Sequence, residues 1–451
     1  MKRRHIGYLF AMFMMLWTAY SYAQVNTWQD IYKVKKKDTI FGIAQRYGIT
    51  IVDLMEANPE MKQEGYQLKK GTTLFVPFPK KAVVAATPVA KKEPTRTDVR
   101  KRAIKVGIML PLHNVDGDGR RMVEHYRGFL MACEELKTQG ISVDVHAWNV
   151  PIDADIHQTL LDKNAKDCDI IFGPLYTPQV KALGDFCKTY RIKMVIPFSI
   201  TSDEVTHNPQ IFQIYQSVSA TTNQSISAFM ERFPNHHPIF IDCNDSTSKK
   251  GVFTFGLRNQ LEKKGIKYSI TNLKSSEEQF AKAFSRSQPN VVILNTGRSP
   301  ELNIAFAKLN SLATIAPNLS ISLFGYTEWL MYTKYNLENF HKFDTYIPTT
   351  FYYNPLSTAV QRIERNYRKW FKHEMQQALP RFALTGYDHA NYFLQGLHKY
   401  GEGFKGSKSE AASTPVQTQL HFVKHAEGGM QNANFVLIHY KTNQNIESIS
   451  Y

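Results

Sequence analysis

Ile104-Lys-Val-Gly-Ile-Met-Leu110 is an apolar run of strand length stopped by Pro111. Apart from Lys105 it shows no polar alternation, so both of its faces expect burial, as in a parallel sheet covered by helices. The residues after it repeat that grammar. Met122, Tyr126, Phe129, Leu130 and Cys133 fall at helical spacing, and Val143 and Val145 alternate as a strand. Asp169-Ile-Ile-Phe-Gly173, a helix near Val180 to Cys187, and Lys193-Met-Val-Ile-Pro197 form a further βαβ unit. The pattern then restarts with Pro238-Ile-Phe-Ile-Asp242, a helix from Gly251 to Lys264 and a strand near Tyr268. A helix around Phe280, the strand Asn290-Val-Val-Ile-Leu294, a helix from Pro300 to Asn310 and the strand Ser320-Ile-Ser-Leu-Phe324 follow. Helices near Val360 to Lys372 and Ala383 to Lys399, then a hairpin through Phe435 to Tyr440, complete this body. Residues 104–451 therefore predict two α/β lobes in tandem, each a doubly wound parallel sheet, with the second lobe spanning roughly 219–345. Open sheets of this kind bind ligands at the carboxyl ends of their strands.

The chain has 451 residues, 43% hydrophobic and 21% charged, enough for two or three packed cores and unlike a disordered or collagenous chain. Its four cysteines contain no C-x-x-C pair, which leaves neither a disulfide scaffold nor a zinc site. Lys2, Arg3 and Arg4, an apolar run from Ile6 to Trp17 and the small-residue exit Ser21-Tyr22-Ala23 predict a signal peptide over 1–23. No cysteine lies between Leu9 and Ala23, so an acylated lipoprotein anchor is not expected. The formal net charge is +16. Much of the excess falls in Lys80 to Arg102, a stretch rich in Ala, Pro, Lys and Thr that reads as a flexible linker over 80–103. A basic linker on an exported protein suits an anionic polymer or membrane surface, and nucleic acid is not expected as a partner.

Ahead of the linker, residues 28–79 form a smaller body. Tyr32 and Val34 alternate as a strand. Asp38 or Thr39 caps a helix carrying Ile40, Ile43, Ala44 and Tyr47, and Gly48 ends it. Thr50 caps a second short helix, Asn58-Pro59 breaks it, and Gly71 to Pro77 closes as a strand. These residues resemble the LysM module. Tyr32-x-Val34, Asp38-Thr39-Ile40, Ile43-Ala44, Tyr47-Gly48-Ile49, Leu54, Asn58-Pro59 and Leu74-x-Val76-Pro77 stand at that family's spacings. Lys37 departs from the glycine the family often has there. The resemblance implies binding of peptidoglycan, an N-acetylglucosamine-containing glycan. The implied groove runs between Asp38, Thr39, Ile40 and Phe41 on one side and Asn58, Pro59, Glu60 and Met61 on the other.

The large body resembles type I periplasmic binding proteins of the branched-chain amino-acid-binding kind. The resemblance rests on Ile104 to Leu112, Phe172-Gly-Pro-Leu-Tyr-Thr177, Val195-Ile-Pro-Phe-Ser-Ile-Thr201 and Leu384-Thr-Gly-Tyr-Asp388. It implies a small-ligand site in which Tyr176, Thr177, Ser199 and Thr201 lie on the loops that hold an amino acid or peptide in the first lobe. Tyr326 and Glu328 would close from the second, with Glu328 pairing an ammonium. Lys250 stands where the family usually has an aromatic before Gly251, and Tyr176-Thr177-Pro178 replaces its common Ser-Ser run.

Sharper chemistries have weaker support. Asn114-x-Asp116-x-Asp118-Gly119 matches half a calcium loop, yet His125 occupies the position that needs a bidentate glutamate. His421-x-x-x-His425 has helical metal spacing without the H-E-x-x-H glutamate. There is no G-x-S-x-G elbow or phosphate loop. No enzyme activity, cofactor or metal is therefore expected. Cys168 and Cys187 are placed to meet either as a disulfide or as buried thiols. Two functions stand: a periplasmic, wall-retained solute-binding protein, or a ligand-free adaptor for peptidoglycan synthases or hydrolases, the cell-wall enzymes.

Overall fold

The computed structural model describes residues 29–63, 66–78, 98–198, 202–410, 413–425 and 427–451. The predicted signal peptide and most of the predicted linker lie outside the described residues. The chain forms two compact units, divided between Pro94 and Thr95.

In the first unit β1 (Asp30–Lys33) pairs antiparallel with β2 (Thr73–Val76), and α1 (Ile40–Arg46) and α2 (Ile51–Ala57) connect them. Thr39, not Asp38, caps α1, accepting from the Gly42 N–H at 3.0 Å. Thr50 and Asp53 form a capping box on α2. Tyr32, Val34, Ile43, Ala44, Leu54, Met61, Leu74 and Val76 make the core. Lys37 sits at φ +74°, a left-handed conformation that a Cβ disfavours. Lys37→Gly is therefore expected to stabilise this unit by about 1 kcal/mol, read as a higher melting midpoint for its transition in the full-length chain.

The second unit holds two seven-stranded sheets. In the first lobe β3 (Ile104–Leu110), β4 (Val143–Asn149), β5 (Ile170–Phe172), β6 (Lys193–Ile196) and β7 (Ile211–Gln213) run parallel in the order β4-β3-β5-β6-β7. The second lobe repeats that order with β8 (His237–Asp242), β9 (Ser269–Asn272), β10 (Asn290–Leu294), β11 (Ile321–Phe324) and β12 (Thr345–Thr349), as β9-β8-β10-β11-β12. Side-chain alternation divides the first sheet between two cores. Ile104, Val106, Ile108 and Leu110 face one, with Phe129, Leu384 and Phe393, while Met109 faces the other, with Ile171 and Leu183.

The lobes are not simply in tandem. After β12 the chain returns to the first lobe through α9 (Thr358–Phe371) and α10 (Phe382–Tyr400), counting the longer helices of this unit as α3 (Gly117–Thr138), α4 (Thr177–Tyr190), α5 (Val218–Arg232), α6 (Gly251–Lys263), α7 (Ser299–Ile315) and α8 (Thr333–Lys342). There β13 (Phe422–Lys424) and β14 (Met430–Asn432) extend the first sheet beside β7. The chain crosses once more, and β15 (Val436–Tyr440) and β16 (Ile446–Ser450) extend the second sheet beside β12. Three segments thus join the lobes, near 214–217, 350–353 and 433–434. Side-chain amides tie them: Gln216 Nε2 donates to the Asn434 carbonyl at 2.7 Å, and Asn432 Nδ2 to the Ile214 carbonyl at 3.2 Å. The unit also begins earlier than Ile104. Val99 is in the core, and Arg102 pairs with Asp169 at 2.7 Å. Charge and proline content hid this edge inside the linker reading.

Candidate functional site

Between the two lobes lies a cleft of about 790 Å³, within the range of small-ligand sites. Its walls come from the crossing segments and from the strand and helix ends around them. Phe198 follows β6, while Tyr326, Thr327 and Glu328 follow β11. Val218, Thr221, Thr222 and Ser225 give one face of α5, and Phe382, Thr385 and His389 one face of α10. Phe351 and Phe435 line it from the second and third crossings.

The sequence candidates divide sharply. Tyr326 and Glu328 line the cleft, but both are engaged within the protein. Tyr326 is buried and donates its hydroxyl to the Leu294 carbonyl at 2.5 Å. Burial pushes that phenol well above its ordinary range. Glu328 pairs with Lys250 at 2.5 Å, and the ammonium of Lys250 sits 4.6 Å from the centre of the Tyr326 ring. The lysine that departs from the family's aromatic thus occupies the carboxylate read as an ammonium acceptor. Thr177 is exposed at the first turn of α4 and is not among the lining residues. Tyr176 is not a lining residue either. Its hydroxyl donates to Asp118 at 3.4 Å, and burial, then the Asp118 charge, raise it to about 12. Ser199 and Thr201 lie outside the described residues.

Sequence reading missed the residues at the cleft's floor. His389 is fully buried, and its Nδ1 stands 3.1 Å from Nε2 of His125 on α3, which is fully buried as well. Phe198 packs across the pair at 5.4 Å from the His125 ring and 6.4 Å from the His389 ring. The segment carrying Thr418 is pinned to α10 by Asp388, whose carboxylate accepts from the N–H groups of Val416, Gln417 and Thr418 at 2.7–2.9 Å. Phe382, Thr385 and His389 do fall on one helical face. However, α10 is buried nearly all round, so no polar-against-apolar contrast marks that face in the sequence.

Burial drives His125 down to about 3 and His389 well below its ordinary range, so both are neutral when folded. The unfolded chain takes up those protons near pH 6.5. Stability is therefore complete above that value and falls as acid carries the unfolded state, but not the folded one, through protonation. Acidification from pH 7 to 5 is expected to cost about 2 kcal/mol for His125 alone, measured by denaturant unfolding across that range. Replacing His125 with glutamine should flatten the slope.

The other motifs have structural roles. Asp116 caps α3 by accepting from the Gly119 N–H at 2.7 Å, and Asp118 pairs with Arg121 at 3.0 Å, so the half calcium loop is a helix start. His421 and His425 flank strand β13 and do not share a helix turn. Cys168 and Cys187 lie in the same small core as thiols. Among the described residues no cluster of His, Cys, Asp or Glu is arranged to hold a metal, and no helix is long and apolar enough to cross a membrane.

In the small unit the eight glycan candidates separate by burial. Asn58 and Met61 face the core, Ile40 is half-buried, and Asp38 is held by the Tyr32 hydroxyl at 2.6 Å and the Lys35 N–H at 2.7 Å. That network, led by the Tyr32 hydrogen bond, keeps the Asp38 carboxyl below its usual range. Thr39, Phe41, Pro59 and Glu60 present surface to solvent.

Two lobes of identical strand order, joined by three crossings around an interlobe cleft, define the type I periplasmic binding protein fold. A protein described as a branched-chain amino acid ABC transporter from Rhodospirillum rubrum is similar in structure at a TM-score of 0.54 and 13% identity, covering 77% of this chain and all of that one. A branched-chain amino acid ABC transporter periplasmic ligand-binding protein from Burkholderia xenovorans matches at 0.45 and 12%, covering 77% of this chain and 94% of its own. At such identities the likeness establishes the fold alone. Residues 32–77 match the LysM domain model and are a LysM domain. No curated protein sequence matches the chain.

Proposed function

We propose that this is an exported, periplasmic protein that binds peptidoglycan through its LysM domain and carries a two-lobed clamp for a small ligand near the wall. Thr39, Phe41, Pro59 and Glu60 are the glycan-contacting residues in this reading. They are the exposed members of two turns whose other members hold the LysM core. The clamp rests on one observation, a cleft of about 790 Å³ at the junction of the three crossings. Lobe closure over such a cleft couples ligand binding to a change of shape. A single LysM is a modest binder, and the basic segment that follows it adds attraction to an anionic wall without new contacts.

The second reading, an adaptor for wall synthases or hydrolases, is favoured by Lys250. This residue already neutralises Glu328, which the amino-acid-binding reading needs free. One experiment separates the two. The full-length chain, refolded to strip co-purified ligand, is melted against amino acids, their uncharged derivatives, peptides, nucleosides and muropeptides. A ligand at one hundred times its dissociation constant adds about 2.7 kcal/mol, a clear rise in the clamp's midpoint. A flat panel from a well-folded protein would overturn the clamp and leave the adaptor. Sedimentation with insoluble peptidoglycan tests the LysM step, which both readings share.

A further inference from the structure

His389 Nε2 and Thr418 Oγ1 are enclosed polar atoms on residues that line the cleft, and neither has a hydrogen-bond partner among the described residues. Buried polar atoms are nearly always paired, so two at one floor call for a partner from the cleft side. His389 is also built to serve one. Its other nitrogen faces His125 Nε2 at 3.1 Å, and one hydrogen lies between those two nitrogens. If His125 donates, His389 Nε2 carries a hydrogen and is a donor; if His389 donates, its Nε2 is an acceptor. The Thr418 hydroxyl has the same dual capacity.

The charges of the cleft lie elsewhere. Its charged lining residues are Lys249, Lys250 and Glu328, all from the second lobe, and the last two neutralise each other. Phe198 packs 6.4 Å from the His389 ring, and Phe351, Phe382 and Phe435 add further apolar lining to the cleft. An ammonium or carboxylate brought to this floor would be buried without a counter-charge, which is strongly unfavourable, whereas an amide, hydroxyl or protonated acid would be fully satisfied. We infer that the cleft takes a ligand with an apolar body and an uncharged hydrogen-bonding head, and that His389 and Thr418 receive the head. This inference rests on the clamp reading above and narrows it, because it excludes the zwitterionic head of a free amino acid.

The test uses matched probes on the full-length chain: leucine and phenylalanine against N-acetyl-leucinamide and N-acetyl-phenylalaninamide, by titration calorimetry. At least one uncharged amide is expected to bind at least tenfold more tightly than its parent amino acid. Thr418→Val, nearly isosteric, should weaken that binding about tenfold, and so should His389→Phe. Because His389 is in the core, a reading on the unaltered protein accompanies the variants. With 15N-labelled histidine, the Nε2 resonance of a neutral, buried ring should move when the amide is added. Tighter binding of the amino acids would overturn the inference and leave the clamp standing. So would binding of another panel member with neither amide bound, or amide binding that Thr418→Val and the histidine resonance both ignore. Binding of nothing in the panel overturns inference and clamp together.

Discussion

Asn58→Ala should unfold the LysM domain at 37 °C and abolish sedimentation with peptidoglycan, although Asn58 has no surface through which to touch a glycan. Its side chain is completely buried. The amide donates to the Leu54 carbonyl at 2.7 Å and the Phe75 carbonyl at 2.8 Å, and accepts from the Phe75 N–H at 2.8 Å. One side chain thus ends α2 and ties it to β2. Each such bond contributes about 1 kcal/mol net, and a buried N–H or carbonyl left alone costs more. A loss of 3 kcal/mol or more matches the whole stability expected of so small a core. The measurement is the melt of the full-length chain, where the LysM transition should vanish while that of the two-lobed unit stays. Glu60→Ala, at an exposed position, should leave the melt unchanged. An Asn58→Ala protein that still melts cooperatively and sediments would refute the account.

Gly386→Ala is the second large effect, and its sign opposes helix propensity. At an ordinary exposed helix position glycine to alanine stabilises by up to about 1 kcal/mol. Here a Cβ on Gly386 would stand 1.9 Å from the carbonyl oxygen of His125, and one on Gly128 would stand 1.7 Å from that of Ala383. The obstacles are backbone atoms, so no rotamer change relieves them. Helices α3 and α10 would have to move apart by more than an ångström, opening the core between Phe129, Leu384 and Phe393 and pulling His125 away from His389. The expected cost is about 3 kcal/mol or more in denaturant unfolding. Gly403→Ala, with nothing within 4 Å of its added Cβ, should stay within about 0.5 kcal/mol.

These two residues show what kind of information the sequence carried. Asn58 and Gly386 were visible as motif positions, in Asn58-Pro59 and Leu384-Thr-Gly-Tyr-Asp388, but the forces acting on them were not. Both serve contacts with elements distant in the chain. The central strands, such as Ile104–Leu110 and Asn290–Leu294, were legible because burial on both faces writes a continuous apolar run, and Val143–Asn149 because it alternates. Ile211–Gln213 was not, since its buried Gln213 cuts the apolar run to two residues. The returns of 358–432 to the first lobe and 436–450 to the second were invisible because local pattern does not say which sheet an added strand joins. At the cleft, Tyr326 and Glu328 were found from their place after a strand, while Lys250 was noticed as a departure. Only the fold set that departure against the carboxylate it neutralises. His389 carried no signal at all on a helix buried nearly all round.

The placement of the last four strands also governs how this protein is made. Until residue 430 exists, β7 is an edge strand, and until 436 exists β12 is another; both lie in sheets whose neighbours are already complete. A growing chain therefore carries one open strand edge at β7 between residues 213 and 430 and a second at β12 between residues 349 and 436, each able to pair with a copy of itself. Neither lobe is a unit that the chain finishes before starting the next, and both close within the last few tens of residues. The strands after residue 420 fasten both lobes, so a chain cut short there leaves an open edge on each sheet rather than losing one hairpin.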